Sequence, residues 1–131
     1  MSGKHGTHWL EREDFESVTV VRLKTPRVLD DDTIRAVFDP IYALVSMGRT
    51  CLILNLTVVE YLPSIALGKL VMLNRRLGAD EGRLALCNLS PTVADTLQST
   101  HLDSLFCIYP TESEALRSFE RTQSTPARPD A

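Results

Sequence analysis

Residues 51–77, CLILNLTVVEYLPSIALGKLVMLNRRL, constrain the fold more than any other stretch of the chain. The run CLILNL at 51–56 is apolar at every position except Asn55. A half-exposed strand alternates apolar and polar residues, whereas an unbroken apolar run suits a central strand covered on both faces. A helical periodicity then runs from Ser64 to about Gly78. Leu67, Leu70, Val71, Asn74 and Leu77 form its inner stripe, Lys69, Arg75 and Arg76 lie outside it, and Gly78 is the expected stop. A buried strand, a short loop and an amphipathic helix make the repeating unit of a parallel α/β sheet.

The flanking segments extend that pattern. Residues 9–13 read as a short first strand and VTVVRL at 18–23 as a clearer one, with the polar residues 14–17 between them as the turn of a hairpin. DDDT at 30–33 precedes the helical spacing Ile34, Val37, Phe38, Ile41, Leu44, Val45, so a carboxylate is expected at that helix's N-cap. Pro40 lies inside this helix and predicts a kink or two shorter pieces; Gly48 is its stop. RLALC at 83–87 reads as a strand. Ser90 and Pro91 then start a helix with Val93, Ala94 and Leu97 inward. LFCIY at 105–109 reads as the last strand and residues 111–121 as the last helix, with Thr111 and Glu114 as its capping box. The expected architecture is a single-domain α/β fold with a mixed, mainly parallel sheet and four helices, in the order β-β-α-β-α-β-α-β-α. Residues 1–7 read as a flexible N-terminus, 8–121 as the domain, and TQSTPARPDA at 122–131 as a disordered tail.

The 131 residues suffice for one core and no more. The net charge of −3, from 17 acidic and 14 basic residues, gives no electrostatic reason to expect nucleic acid or an anionic membrane as a partner. No apolar run approaches the roughly 18 residues of a spanning helix. The first ten residues lack a signal peptide's apolar core, so a cytoplasmic location is expected. Cys51, Cys87 and Cys107 fit neither a disulfide framework nor a zinc site and read as reduced thiols packed as small hydrophobes.

The chain offers little for catalysis. Its six glycines form no phosphate-binding loop. His5 and His8 have no cysteine or carboxylate at ligand spacing, and His101 reads as a solvent-exposed loop residue. Ser64 lacks the flanking glycines of a nucleophile elbow. No enzymatic activity, metal or cofactor is expected. Ser64 draws attention for another reason: a hydroxyl at the start of a helix sits beside unpaired N–H groups and a positive dipole, where a phosphate is tolerated. On capping logic alone, the serine does no more than satisfy one N–H group.

The quoted motifs carry a resemblance. VTVVRL at 18–23, LILNLTVVEYLPSIALGKL at 52–70 and GRLALCNLSPTVADTLQSTHLDSLFCIYPTESEAL at 82–116 resemble, in order and spacing, a STAS domain, the fold of bacterial anti-sigma factor antagonists. The resemblance runs from about Trp9 to Phe119. The family's central pattern is D-L-S-x-V-x-F-[ILM]-D-S-S-G-L-G-x-L. Here Asn55 replaces its first aspartate, Pro63 the second, and Ile65 and Ala66 the serine and glycine after the matching Ser64. The resemblance implies phosphorylation of Ser64 by an anti-sigma factor with a histidine-kinase-like ATPase fold, and dephosphorylation by a PP2C-type phosphatase. It implies transcriptional control by partner switching, in which the unphosphorylated protein captures the anti-sigma factor. Tyr61, Leu62, Pro63, Ser64 and Ile65 are the expected partner-binding residues, with Tyr61, Leu62 and Ile65 as exposed apolar contacts and Leu67 in the core. For Tyr61, packing against the sheet edge is an equal alternative. Two other readings remain open: a STAS scaffold that has lost phosphoregulation, supported by Pro63, Ile65 and Ala66, and a nucleotide- or lipid-binding module using the helix starts at Ser64 and Ser90.

Overall fold

The computed structural model describes residues 3–6, 9–27 and 30–124. One sheet of six strands runs in sequence order: β1 (Gly3–Gly6), β2 (Leu10–Phe15), β3 (Val18–Leu23), β4 (Cys51–Asn55), β5 (Arg83–Cys87) and β6 (Cys107–Tyr109). β1, β2 and β3 pair antiparallel; β3, β4, β5 and β6 pair parallel. Successive parallel strands are joined by α1 (Asp31–Ser46), α2 (Ser64–Ala79) and α3 (Pro91–Ser99), and α4 (Glu112–Ser124) follows the last strand. Crossovers of one hand that step in one direction place their helices on one face. Accordingly, Ile34, Phe38, Leu70, Leu77, Val93 and Leu97 share one core with Leu52, Leu54, Leu84 and Leu86. α4 is not a crossover and covers the other face, where Ala115 and Phe119 meet Val20, Ile53, Ala85 and Cys87.

β4 shows why this arrangement holds. Leu52 and Leu54 point into the larger core and Ile53 into the smaller one, all within 1% of full burial. The apolar run therefore does fill both faces of a central strand.

Several boundaries differ from the sequence reading, each for a local reason. The segment expected to fray contains β1, a Gly-Lys-His-Gly edge strand whose register runs from Gly3 opposite Asp14 to Gly6 opposite Glu11. Main-chain pairing forms it, and main-chain pairing leaves no side-chain periodicity to read. The hairpin turn shrinks to Glu16 and Ser17, with Glu16 at φ 56, so β2 reaches Phe15. β6 is shorter than expected because Leu105 and Phe106 belong to the preceding turn. α4 continues to Ser124 into the segment read as tail; residues 125–131 lie outside the described residues.

α1 is one helix through Pro40, not two pieces. The proline removes a backbone bond at a cost of about 3 kcal/mol. Burial of Val37, Phe38 and Ile41 at 0–2% exposure returns roughly 1.5–3 kcal/mol for each side chain and outweighs it. The expected carboxylate cap is present: Asp30 Oδ1 accepts from Thr33 N at 2.8 Å. In α2 the inner stripe is Ala66, Leu67, Leu70, Leu73 and Leu77, while Val71 and Asn74 are half-buried. Gly78 lies within α2 rather than ending it; the chain turns after Asp80 through Glu81, at φ 62.

Gly82 has a steric role. Gly82 N donates to Leu77 O at 2.6 Å, and Thr50 O accepts from Arg83 N at 2.9 Å. A Cβ at Gly82 would overlap the Thr50 carbonyl and side chain. Overpacking of this kind costs typically 1–3 kcal/mol. Gly82→Ala should lower the urea midpoint by the equivalent of about 2 kcal/mol with an unchanged m value; an unaltered midpoint would show that the β4–β5 junction yields freely.

Candidate functional site

The β4–α2 loop is held by three pegs. Leu56, Val59 and Leu62 are each 3% exposed or less, and Val59 N donates to Leu56 O at 3.1 Å. The loop is tied to the segment after β3 by Glu60 N donating to Pro26 O at 2.7 Å and by a parallel bridge between Arg27 and Tyr61. With the pegs inward, the residues between and after them face outward. Tyr61 is 46% and Ile65 52% exposed, and Val58 is exposed beside them. Leu62, expected as a surface contact, belongs to the core instead: its place in the peg rhythm turns it beneath the loop. Leu67 is buried, as expected.

Pro63 holds the N-cap position of α2, extended at φ −73 and ψ 168, and its carbonyl accepts from Leu67 N at 3.0 Å. Ser64 is therefore the first helical residue, and it is exposed. The N-cap role expected of this serine on capping logic falls instead to Pro63, which makes no side-chain cap. The other three helices each have a side-chain cap: Asp30 to Thr33 N, Ser90 to Val93 N at 3.3 Å, and Thr111 to Glu114 N at 3.2 Å. Proline at the cap of α2 offers no side-chain acceptor, and its first turn carries no acidic residue. The positive end of α2 therefore has neither a side-chain cap nor an acid in its own first turn, beside the exposed Ser64.

Tyr61 also lines a cleft of about 440 Å³ with Arg27, Glu60 and Thr92. The cleft opens at the carboxyl ends of the parallel strands, the usual ligand side of such sheets. Neither Arg27 nor Thr92 was a candidate in the sequence, because their meeting with Tyr61 depends on tertiary pairing. The cleft's charges balance locally, with Arg27 Nε 3.8 Å from Glu60 Oε1.

Beneath the loop, on the α4 side of the sheet, lies a charged hub that the sequence did not disclose. Arg22 grips Glu112 with Nε to Oε1 at 2.9 Å and Nη2 to Oε2 at 2.7 Å. It also reaches Glu11 at 2.7 Å and Glu13 at 2.9 Å. Asn55 Nδ2 donates to Glu112 Oε1 at 2.8 Å, and Asn55 Oδ1 accepts from Thr57 N at 2.9 Å. The position where the family pattern has an aspartate thus holds an amide donor facing a carboxylate. One side chain joins the end of β4 to α4 and to the start of the Ser64 loop. The Arg22 hydrogen bonds, with help from Asn55, hold the Glu112 carboxyl below its ordinary pKa. Burial, reinforced by the charge of Glu112, pushes the Cys87 thiol up to about 12 and keeps it unreactive. The three cysteines are free.

Among the described residues no group of three histidine, cysteine, aspartate or glutamate side chains could hold a metal ion. The His5 and His8 side chains lie outside the described residues. His101 is exposed in the turn after α3, at φ 63. No helix among the described residues is long and apolar enough to cross a membrane.

A mixed sheet in this order, with three crossover helices on one face, a fourth helix on the other and a hydroxyl at the start of the second, defines a STAS-type α/β domain. The STAS domain family profile matches residues 10–115, and the chain belongs to that family. It is similar to an anti-sigma factor antagonist from Mycobacterium paratuberculosis, with 27% identity, a TM-score of 0.72, and coverage of 90% of this chain and 93% of that one. It is similar to an anti-sigma factor antagonist (STAS) domain protein from Planctomyces limnophilus, with 27% identity, a TM-score of 0.73, and coverage of 83% and 96%. It is also similar to the Bacillus cell fate determinant SpoIIAA in its phosphorylated form, with 26% identity, a TM-score of 0.66, and coverage of 84% and 98%. No curated protein matches the sequence.

Two outcomes test the hub. As pH falls, the unfolded chain takes up the Glu112 proton before the folded protein does. The stabilisation from Arg22 is therefore complete above the ordinary glutamate pKa of about 4.3 and fades as pH drops through the depressed folded value. Glu112→Gln should flatten that acid-side decline in a series of urea titrations, and equal decline in both proteins would refute the assignment. Asn55→Asp replaces a donor with a second carboxylate. It should cost about 2 kcal/mol at neutral pH, with the loss shrinking in acid, by the same titrations.

Proposed function

We propose that this protein is an anti-sigma factor antagonist of partner-switching type. In its unphosphorylated form it binds an anti-sigma factor with a histidine-kinase-like ATPase fold and thereby regulates transcription. That partner phosphorylates Ser64, and a PP2C-type phosphatase restores the free form. The observation that carries the reading is the exposed, non-capping Ser64 hydroxyl at the uncapped start of α2. The likeness to a phosphorylated SpoIIAA supports it.

The chemistry of such a switch follows from the site. A phosphoserine brings about −1.5 to −2 charges and three acceptor oxygens. At the first helical residue it meets unpaired N–H groups and a favourable dipole worth about 0.3–1 kcal/mol. The modification therefore leaves the fold intact and changes what a partner meets at the surface. Tyr61, Pro63 and Ile65 surround the hydroxyl and supply contact area. Leu62 holds the loop from below. Replacement of the family's acidic residues by Pro63 and Asn55 leaves the added phosphate fewer like charges to oppose it.

Incubation with the anti-sigma factor kinase and ATP should add one phosphate to the intact mass of the wild type and none to Ser64→Ala. Ser64→Asp should weaken the complex by about tenfold or more, a loss of about 1.4 kcal/mol or greater, while its melting temperature stays close to wild type. Equal binding by wild type and Ser64→Asp would refute the switch. Absence of phosphate alongside tight binding would favour a constitutive STAS scaffold.

A further inference from the structure

The outward arc of α2 differs in charge from the chain that carries it. At 100° per residue, Ser64, Ile65, Lys69, Met72, Arg75 and Arg76 fall on one side of the helix, opposite the buried stripe. Ile65 and Met72 are 52% and 63% exposed, one above the other at a spacing of seven residues. α2 itself contributes three cations and no aspartate or glutamate, although the whole chain has a net charge of −3. Arg76 is partly answered by Asp80 at 3.8 Å, which leaves Arg75, exposed, and Lys69, half-buried, beside the apolar pair. The uncapped start of α2 adds a partial positive charge at the same end as Ser64. The neighbouring α1 is opposite in kind, with Asp31 and Asp32 in its first turn and Asp30 as its cap.

We propose that the α2 face from Tyr61 to Arg76 docks an acidic, amphipathic helix or strip of the protein partner, with Ile65 and Met72 as the apolar anchors and Lys69 and Arg75 as the charge contacts. This rests on the partner-binding reading of Ser64 and adds the chemistry of the surface that reads it. Charge complementarity selects the occupant. A basic or neutral partner would leave Lys69 and Arg75 uncompensated at a desolvated interface, whereas an acidic one pairs with them. A phosphate on Ser64 then has a specific effect: its two charges offset most of the local positive field and compete with the partner's carboxylates for it.

The test titrates the isotopically labelled full chain with two synthetic helical peptides that share one leucine stripe. One carries glutamates on its polar face and the other lysines. The glutamate peptide should shift the amide signals of Tyr61, Ile65, Met72 and Arg75, and bind more weakly as salt is added. The double variant Lys69→Glu/Arg75→Glu should lose about tenfold or more in affinity, and Arg117→Glu on the opposite helix should lose none. If the double reversal disturbs the circular dichroism spectrum, Lys69→Gln/Arg75→Gln takes its place, with a smaller loss expected.

Equal binding of the lysine peptide, no binding of the glutamate peptide, or shifts located elsewhere would overturn the proposal. The same shifts appearing with protein concentration alone would assign the face to a second copy of this chain. Binding of anionic phospholipid vesicles without binding of the peptide would assign it to a lipid surface. Either result would also overturn the proposal. Ser64→Asp measured in parallel against the anti-sigma factor separates the two readings: if it weakens that complex while the glutamate peptide fails to bind, partner switching stands and the acidic partner falls.

Discussion

The structure depends on β4 being buried on both faces. Leu52 and Leu54 anchor the sheet to α1 and α2, and Ile53 anchors it to α4. A strand satisfied on both sides cannot slip by one residue without exchanging its two faces. Its register with β3 and β5 is consequently fixed, from Cys51 opposite Val18 and Arg83 to Asn55 opposite Arg22 and Cys87. The point at which β4 ends is fixed by the same packing. The position of the loop that follows, and of Ser64 at its far end, is inherited from that strand rather than set by the loop's own composition.

The loop then converts a buried strand into an exposed site over a few residues. Leu56, Val59 and Leu62 recur at three-residue intervals and turn inward, which leaves Val58 and Tyr61 outside. Proline after the last peg fixes its own φ, biases Leu62 before it toward extended backbone, and stands at the N-cap without lending the helix a side-chain acceptor. The energetic consequence is small for the fold, since a missing cap costs on the order of 1 kcal/mol and the buried leucines of α2 exceed it several-fold. The chemical consequence is larger. A cap residue would have used the first-turn N–H groups internally; here they remain beside the hydroxyl.

How much of this could be read from the residues depends on the range of the forces involved. The order of strands and helices was legible because apolar periodicity is a local property, and the cap at Asp30 and the start at Ser90 followed from local chemistry. Leu62 was misread because Tyr61, Leu62 and Ile65 look equally apolar in sequence; only the loop's tertiary pairing with Pro26 and Arg27 decides which of them turns inward. β1 was missed because an edge strand is made by backbone bonds and Gly-Lys-His-Gly has no pattern to offer. The Arg22 hub was invisible for a different reason. Glu112 is 90 residues from Arg22 and 57 from Asn55, and ion pairs of that separation leave no periodic trace. The exposed pairing of Ile65 with Met72 was within reach, since seven residues is two helical turns.

The hub also bears on the substitutions that separate this chain from its family's central pattern. At Asn55 an aspartate would face Glu112 across the gap now spanned by a 2.8 Å hydrogen bond, and the two carboxylates would contend for Arg22, which already serves Glu11 and Glu13. An amide at that position supplies the donor that the site needs, so Asn55 and Glu112 form one arrangement rather than two independent changes. The replacement removes a negative charge from the end of β4, just before the loop that carries Ser64. Pro63 removes another from the position immediately before the serine, at the start of a helix whose charged side chains are all basic. The two departures from the pattern act in one direction: each removes a negative charge from the segment that leads from β4 to this hydroxyl.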